Sequence, residues 1–310
     1  MIRNSLFIIL LCFLSFWPLL TEAAILYLES LSGQYQPGDI FIVEARLDTE
    51  GECINIVDAN LSFSQDILEA ADFSQGNSIL TLWAEPLSIN QEAGRISFVG
   101  GIPNGYCGQM LGTSEKTNLL GKIIFKVEET GNAQQVRIEF LNGSKVFLND
   151  GQGTLAKLIT KAAVFNILAE KAEVFKDEWQ KEIEKDDILP EEFLPEISKD
   201  PTAFEGKYFI IFSTTDKQTG IDHYEIKEGK RNWKIAVSPY VLENQRLTND
   251  IWVKAVDKAG NERVEVLKAI RKLTWKYIIF VILILILVII GVIWRFVKSV
   301  KRKMQNNNNL

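Results

Sequence analysis

The 310-residue chain has little of what enzymes use for covalent chemistry: three cysteines and one histidine, His223. One histidine and two cysteines outside the apolar leader do not make a zinc set. A histidine-based nucleophilic triad has no histidine to draw on in the first half of the chain. Positive charge is also short. Lys and Arg number 34 against 40 Asp and Glu, a formal net charge of −6. Nucleic-acid binders usually carry a basic stripe, so this balance argues against one. No glycine-rich phosphate loop precedes a helix, and no regular strand–helix alternation runs through the sequence. No metal or cofactor set is read from it.

What is abundant is apolar sequence at the two ends, which inflates the 47% hydrophobic content. Residues 1–23 read as a secretory signal: Arg3 is the positive start, Ser5 to Leu20 the apolar stretch, and Thr21 and Ala23 stand at −3 and −1 of a cut after Ala23. An uncleaved anchor is the alternative and gives the same topology. Cys12 sits within the apolar stretch, which continues well past it, unlike a lipid-attachment cysteine. Tyr277 to Trp294 carries no charge. At about 1.5 Å per residue it is just long enough to cross a bilayer core. A transmembrane helix is predicted at 277–297, with Tyr277 and Trp294 at the interfaces. Lys268, Arg271, Lys272 and Lys276 precede the uncharged block, and Arg295, Lys298, Lys301, Arg302 and Lys303 follow it. Flanking charge therefore does not orient the helix; the signal does. The expectation is a single-pass protein of the cell membrane with its N-terminal domains extracellular. The basic, Asn-rich tail 298–310 stays in the cytoplasm, where its charges suit anionic lipid.

Between the ends the sequence predicts a mainly β protein. Over 24–168, about nine short runs rich in β-branched residues are separated by Gly, Asn and Asp, which suits a two-sheet sandwich. In one run Phe41, Val43, Ala45 and Leu47 share a face; in the next, Asn55, Val57, Ala59, Leu61 and Phe63 form the core side and Ile54, Ile56, Asp58 and Asn60 the other. Residues 169–201 are charged and hold Pro190, Pro195 and Pro201. They read as a solvated, partly extended linker with a candidate helix from Ala172 to Ile188, Val174, Trp179 and Ile183 along one side. A second, smaller sandwich is predicted over 202–268. It ends in a hairpin: Ile251, Val253 and Ala255 face one way, Asp257 to Asn261 turn, and a strand returns.

The exported cysteines, Cys53 and Cys107, are a candidate disulfide, with two separately buried thiols as the alternative. Tyr35, Trp83 and Tyr106 are candidate ligand or partner contacts because sugar sites use aromatic faces beside polar groups. Asp58, Asp66, Glu69 and Asp72 are carboxylates that a glycosidase would need in pairs, but turn capping and solvation explain them more simply. No enzyme activity is expected.

Gln36 to Asp39 (Pro-Gly-Asp before a long strand), Leu61 to Leu68 and Leu120 to Val127 occupy places that resemble those of a cohesin, or of the related carbohydrate-binding jelly-roll sandwiches. Phe63 to Asp66, "FSQD", stand where that family has Tyr-Asp-Pro. "TTDKQTGIDHYEI" and "IWVKAVDKAGNE" resemble bacterial Ig-like or fibronectin-III-like surface modules. The first resemblance implies noncovalent tethering of a dockerin-like protein partner. Carbohydrate binding linked to polysaccharide breakdown is the alternative, and a structural stalk in an envelope assembly is the third reading. The second resemblance implies a spacer or adhesion module.

Overall fold

Phe41, Val43, Ala45 and Leu47 are fully buried in the computed structural model, as their period-two spacing demands. The structure describes residues 23–108, 117–128, 132–169, 174–269 and 275–307. The proposed signal segment, Ala23 apart, lies outside the described residues.

The first unit holds twelve strands: β1 (Ala24–Ser30), β2 (Gln34–Tyr35), β3 (Ile40–Asp48), β4 (Ile54–Ser62), β5 (Leu68–Ser74), β6 (Leu82–Asn90), β7 (Arg95–Tyr106), β8 (Leu119–Val127), β9 (Gln134–Phe140), β10 (Lys145–Leu148), β11 (Leu158–Lys161) and β12 (Ala163–Ile167). One sheet runs β11-β1-β3-β8-β5; the other runs β2-β12-β9-β4-β7-β6, with β10 added on β4. The count exceeds the expected nine partly because short runs such as β2 and β10 gain their order from a neighbouring strand. It also rises because the run from Leu158 to Ile167 changes sheet: β11 pairs with β1 and β12 with β9. Asp72, expected in a turn, is on β5 beside an irregularity in register. Val57, Ala59, Leu61 and Phe63 face the core, as expected. Ile54 joins them because a bulge lies between Ile54 and Ile56.

Aromatic rings fill the space between the sheets. Tyr35 stacks on Phe41 at 4.0 Å, and Phe165 closes on Phe41 at 5.4 Å. Phe73, Trp83 and Phe98 form a second cluster with centroids 5.6–5.7 Å apart. Each such ring contributes roughly 1.5–3 kcal/mol by burial, and offset or edge contacts add to that.

The linker is not a solvated spacer. α1 (Glu178–Ile183) is shorter than the expected helix, and Asp177 caps it by accepting the Gln180 N–H at 2.7 Å. Trp179 packs against Ile42 and Ile124 on the outer face of the five-stranded sheet. The Pro-Gly-Asp turn fixes this segment: Asp39 accepts the Lys176 N–H at 2.8 Å, and the Ile40 N–H donates to the Lys176 carbonyl at 2.8 Å. The proline-bearing part then delivers Phe193 into the second core. Three apolar side chains in a charged stretch, Trp179, Ile183 and Phe193, are what turn the linker into packing material.

The second unit begins earlier than residue 202, with β13 (Glu196–Lys199). It continues through β14 (Tyr208–Ile211), β15 (Ile221–Glu228), β16 (Lys234–Ala236), β17 (Tyr240–Val241), β18 (Ile251–Asp257) and β19 (Glu262–Leu267). Its sheets are β13-β14-β17 and β16-β15-β18-β19. The β18–β19 hairpin is as the alternation predicts: Ile251, Val253 and Ala255 are buried, and Asp257 accepts the Asn261 N–H at 2.8 Å. α2 (Trp275–Asn307) closes the described chain and contains one stretch, Ile278–Lys301, long and apolar enough to cross a membrane.

Candidate binding face

The two outer faces of the first sandwich are treated differently by the rest of the chain. The five-stranded sheet is covered in part, over β3, β8 and β5. α1 lies on β3 and β8, Lys122 pairs with Glu182, and Glu178 accepts the Ile42 N–H at 3.0 Å. Burial pushes the Glu178 carboxyl up, and burial likewise pushes the neighbouring Tyr35 hydroxyl up to about 12. The second unit adds Lys258 against Asp72, and Ser74 Oγ donates to the Thr219 carbonyl at 2.7 Å.

Among the described residues, the outer face of the seven-stranded sheet carries exposed side chains. Cross-strand partners on one face stand opposite each other, so register orders this surface in rows. One row is Leu82, Gly101, Ile56 and Phe147, taken across β6, β7, β4 and β10. Leu82 is 57% and Ile56 38% exposed. A Cβ at Gly101 would have only contacts of 3.7 Å, so this glycine leaves a shallow dip between the two side chains. The next row is Glu85, Val99, Asp58 and Lys145. An apolar strip thus borders a strip bearing both signs of charge. Burying such a strip with a polar rim around it is how protein interfaces are built.

Tyr35 and Tyr106 are 1% and 2% exposed, and Trp83 is packed between Phe73 and Phe98. The expected contact surface is therefore corrected for Tyr35 and Tyr106, whose rings are used in the core; Trp83 is partly buried and packs against that core. Cys53 and Cys107 meet with Cα atoms 4.2 Å apart, just before β4 and just after β7. The four carboxylates do not converge. Asp58 is on the seven-stranded sheet and accepts the Asn60 side chain at 2.8 Å, while Glu69 and Asp72 are on β5 of the other sheet, held by Lys126 and Lys258. His223 lies on β15, 2.7 Å from Asp222. A cleft of about 490 Å³ beside α1 is lined by Glu29, Glu44, Arg46 and Glu182 among others, and Arg46 bonds to Glu44 and Glu29 across it. The sequence did mark Ile56 as lying off the core face. It had no means of aligning Ile56 with Leu82 and Phe147, because that alignment is a matter of register.

No family model matches the chain, and no curated protein matches it. Solved structures do. One is a cohesin in the Coh-OlpC–Doc435 complex, a type I cohesin–dockerin complex from Clostridium thermocellum, at 12% identity, covering 47% of this chain and 94% of that one, TM-score 0.38. Another is a non-cellulosomal cohesin from Archaeoglobus fulgidus, at 18% identity, covering 47% and 91%, TM-score 0.35. A third is the cohesin module of a family 33 glycoside hydrolase from Clostridium perfringens, at 11% identity, covering 51% and 100%, TM-score 0.34. By its own strand order and register the first unit is a two-sheet β-sandwich.

Proposed function

We propose that the chain is a noncovalent binding module held at a membrane, and that the seven-stranded face of its first sandwich engages a protein partner of the dockerin type. The observation that carries this reading is the unequal use of the two faces. α1 and the second unit occupy one, and the other presents the apolar row Leu82–Gly101–Ile56–Phe147 beside the charged row. The second unit acts as a spacer, and the Ile278–Lys301 helix as the anchor, with both sandwiches outside the cell. The polysaccharide reading has less support, since Tyr35 and Tyr106 are spent on the core.

The test uses the full chain in lipid nanodiscs, presented to a panel of dockerin modules and, in parallel, to a glycan array. The expected result is saturable binding of a dockerin-type protein that Ile56→Lys abolishes while the circular dichroism spectrum is unchanged. Glycan binding without any protein ligand would overturn the reading, as would a protein ligand indifferent to Ile56→Lys and Leu82→Lys.

A further inference from the structure

Three carboxylates converge where the connector meets the second unit, in a place the sequence did not single out. Asp186 follows α1, Asp216 lies in the β14–β15 loop, and Asp257 ends β18. They are 7%, 2% and 2% exposed, and one oxygen from each lies within 4.8 Å of the others. Buried like charges at such separations repel strongly, because little water screens them. Burial, with the charges of Asp186 and Asp216, pushes the Asp257 carboxyl up. The adjacent Lys258 is directed elsewhere, to Asp72 at 2.8 Å and Asp222 at 3.8 Å.

The hydrogen bonds hold these carboxylates in place and leave one oxygen over. Asp216 Oδ1 accepts three backbone N–H groups, from Gln218, Thr219 and Gly220, at 2.9–3.0 Å. Asp186 accepts from Ile188 and from the Thr219 N–H and hydroxyl. Asp257 accepts from the backbone and side chain of Asn261 at 2.8 and 2.9 Å. Asp216 Oδ2, by contrast, is buried with no hydrogen-bond partner. A buried carboxylate oxygen rarely goes without a donor. Here the side chain is fixed through its sister oxygen, and the carboxylate as a whole neighbours those of Asp186 and Asp257.

We propose that Asp186, Asp216 and Asp257 form a calcium-binding site that locks the connector and the second unit against the first sandwich. The donor set is all hard oxygen. Ca²⁺ accepts such sets in irregular geometry and completes its shell with carbonyls and water, whereas Mg²⁺ demands a near-ideal octahedron. Softer transition metals favour nitrogen and sulfur ligands. The locking follows from what the ligand loop touches. The Asp216 carbonyl accepts the Asn77 N–H at 3.3 Å, the Thr219 carbonyl accepts Ser74 Oγ, and the Asn261 side chain donates to the Asp186 carbonyl at 3.2 Å. Fixing the loop 216–220 therefore fixes the surface on which residues 74–77 rest.

The test is calorimetric titration of the metal-stripped full chain in nanodiscs with CaCl₂ and, separately, MgCl₂, with thermal unfolding in excess Ca²⁺ and in chelator. One Ca²⁺ per chain and a higher unfolding temperature in Ca²⁺ are expected. Asp216→Asn should weaken Ca²⁺ binding at least tenfold, and Asp257→Asn serves the same purpose if that variant fails to fold; Asp150→Asn, on an exposed loop of the first sandwich, should leave the affinity unchanged. Absence of Ca²⁺ binding and of any Ca²⁺-dependent stabilisation in the unaltered chain would overturn the site. So would undiminished binding in a folded Asp216→Asn or Asp257→Asn variant, or tighter binding of Mg²⁺ than of Ca²⁺.

Discussion

Lys258, at the turn of the second unit's hairpin, places its ammonium 2.9 and 2.8 Å from the two oxygens of Asp72 on the first sandwich, 186 residues away in sequence. Asp72 is partly exposed, so the pair adds at most about 1 kcal/mol. Its larger effect is geometric, because it fixes which strand of the sandwich the hairpin faces.

Close backbone packing carries more of that junction. A Cβ on Gly76 would sit 2.1 Å from the Gln218 carbonyl oxygen, and one on Gly220, whose φ is +81°, would sit 2.8 Å from the Gly76 nitrogen. Gly76→Ala is expected to force the two units apart and cost about 1–3 kcal/mol, with each core intact. Hydrogen exchange at residues 74–77 and 216–220 should rise in the variant; unchanged protection there would refute the prediction.

Trp179 is the anchor of α1 on Ile42 and Ile124. A helix of six residues has little stability by itself. Trp179→Ala should therefore undock it, at a cost of about 3 kcal/mol. Limited trypsin digestion should then cut at Lys181 and Lys185 before either sandwich unfolds. Resistance equal to that of the unaltered chain would mean the helix is held by its polar contacts alone.

Cys53 and Cys107 are 54 residues apart. A crosslink closing a loop of that size restricts the unfolded chain by about 4 kcal/mol in the chain-entropy account. Non-reducing peptide mapping of the full chain should recover the Cys53–Cys107 pair, and Cys107→Ser should lower the unfolding temperature by several degrees. Two alkylatable thiols in the native chain would be the contrary result.

Glu178 supplies a pH test. Burial raises its carboxyl above the ordinary range against the opposing Ile42 N–H, so the folded state favours the protonated form. A group raised in the fold stabilises fully below its unfolded value, about 4.3, and that contribution is lost as pH rises through the folded value. Glu178→Gln retains an acceptor for Ile42 and removes the charge. The stability of the unaltered chain relative to Glu178→Gln should therefore increase as pH falls from 7 towards 4. A difference that shrinks on acidification would contradict this.

Local pattern determined a good deal about this protein. Alternation over Ile40–Asp48 and, past the bulge at Ile54, over residues 57–62 assigned strands and core faces, Asp257 to Asn261 marked a turn, and the uncharged block after Tyr277 marked a long helix. All of these depend on neighbours within a few residues, and so they can be read along the chain. The tertiary structure decided the rest. Tyr35 and Tyr106 look the same in sequence whether they face a ligand or a core; packing buries both, Tyr35 by stacking on Phe41. The row joining Leu82, Ile56 and Phe147 exists only once four strands settle in register. Asp186, Asp216 and Asp257 come from three separate segments, brought together because the connector folds back on the second unit. Side-chain period is a local property, whereas register and inter-unit contact are set by the burial of surfaces far apart in sequence.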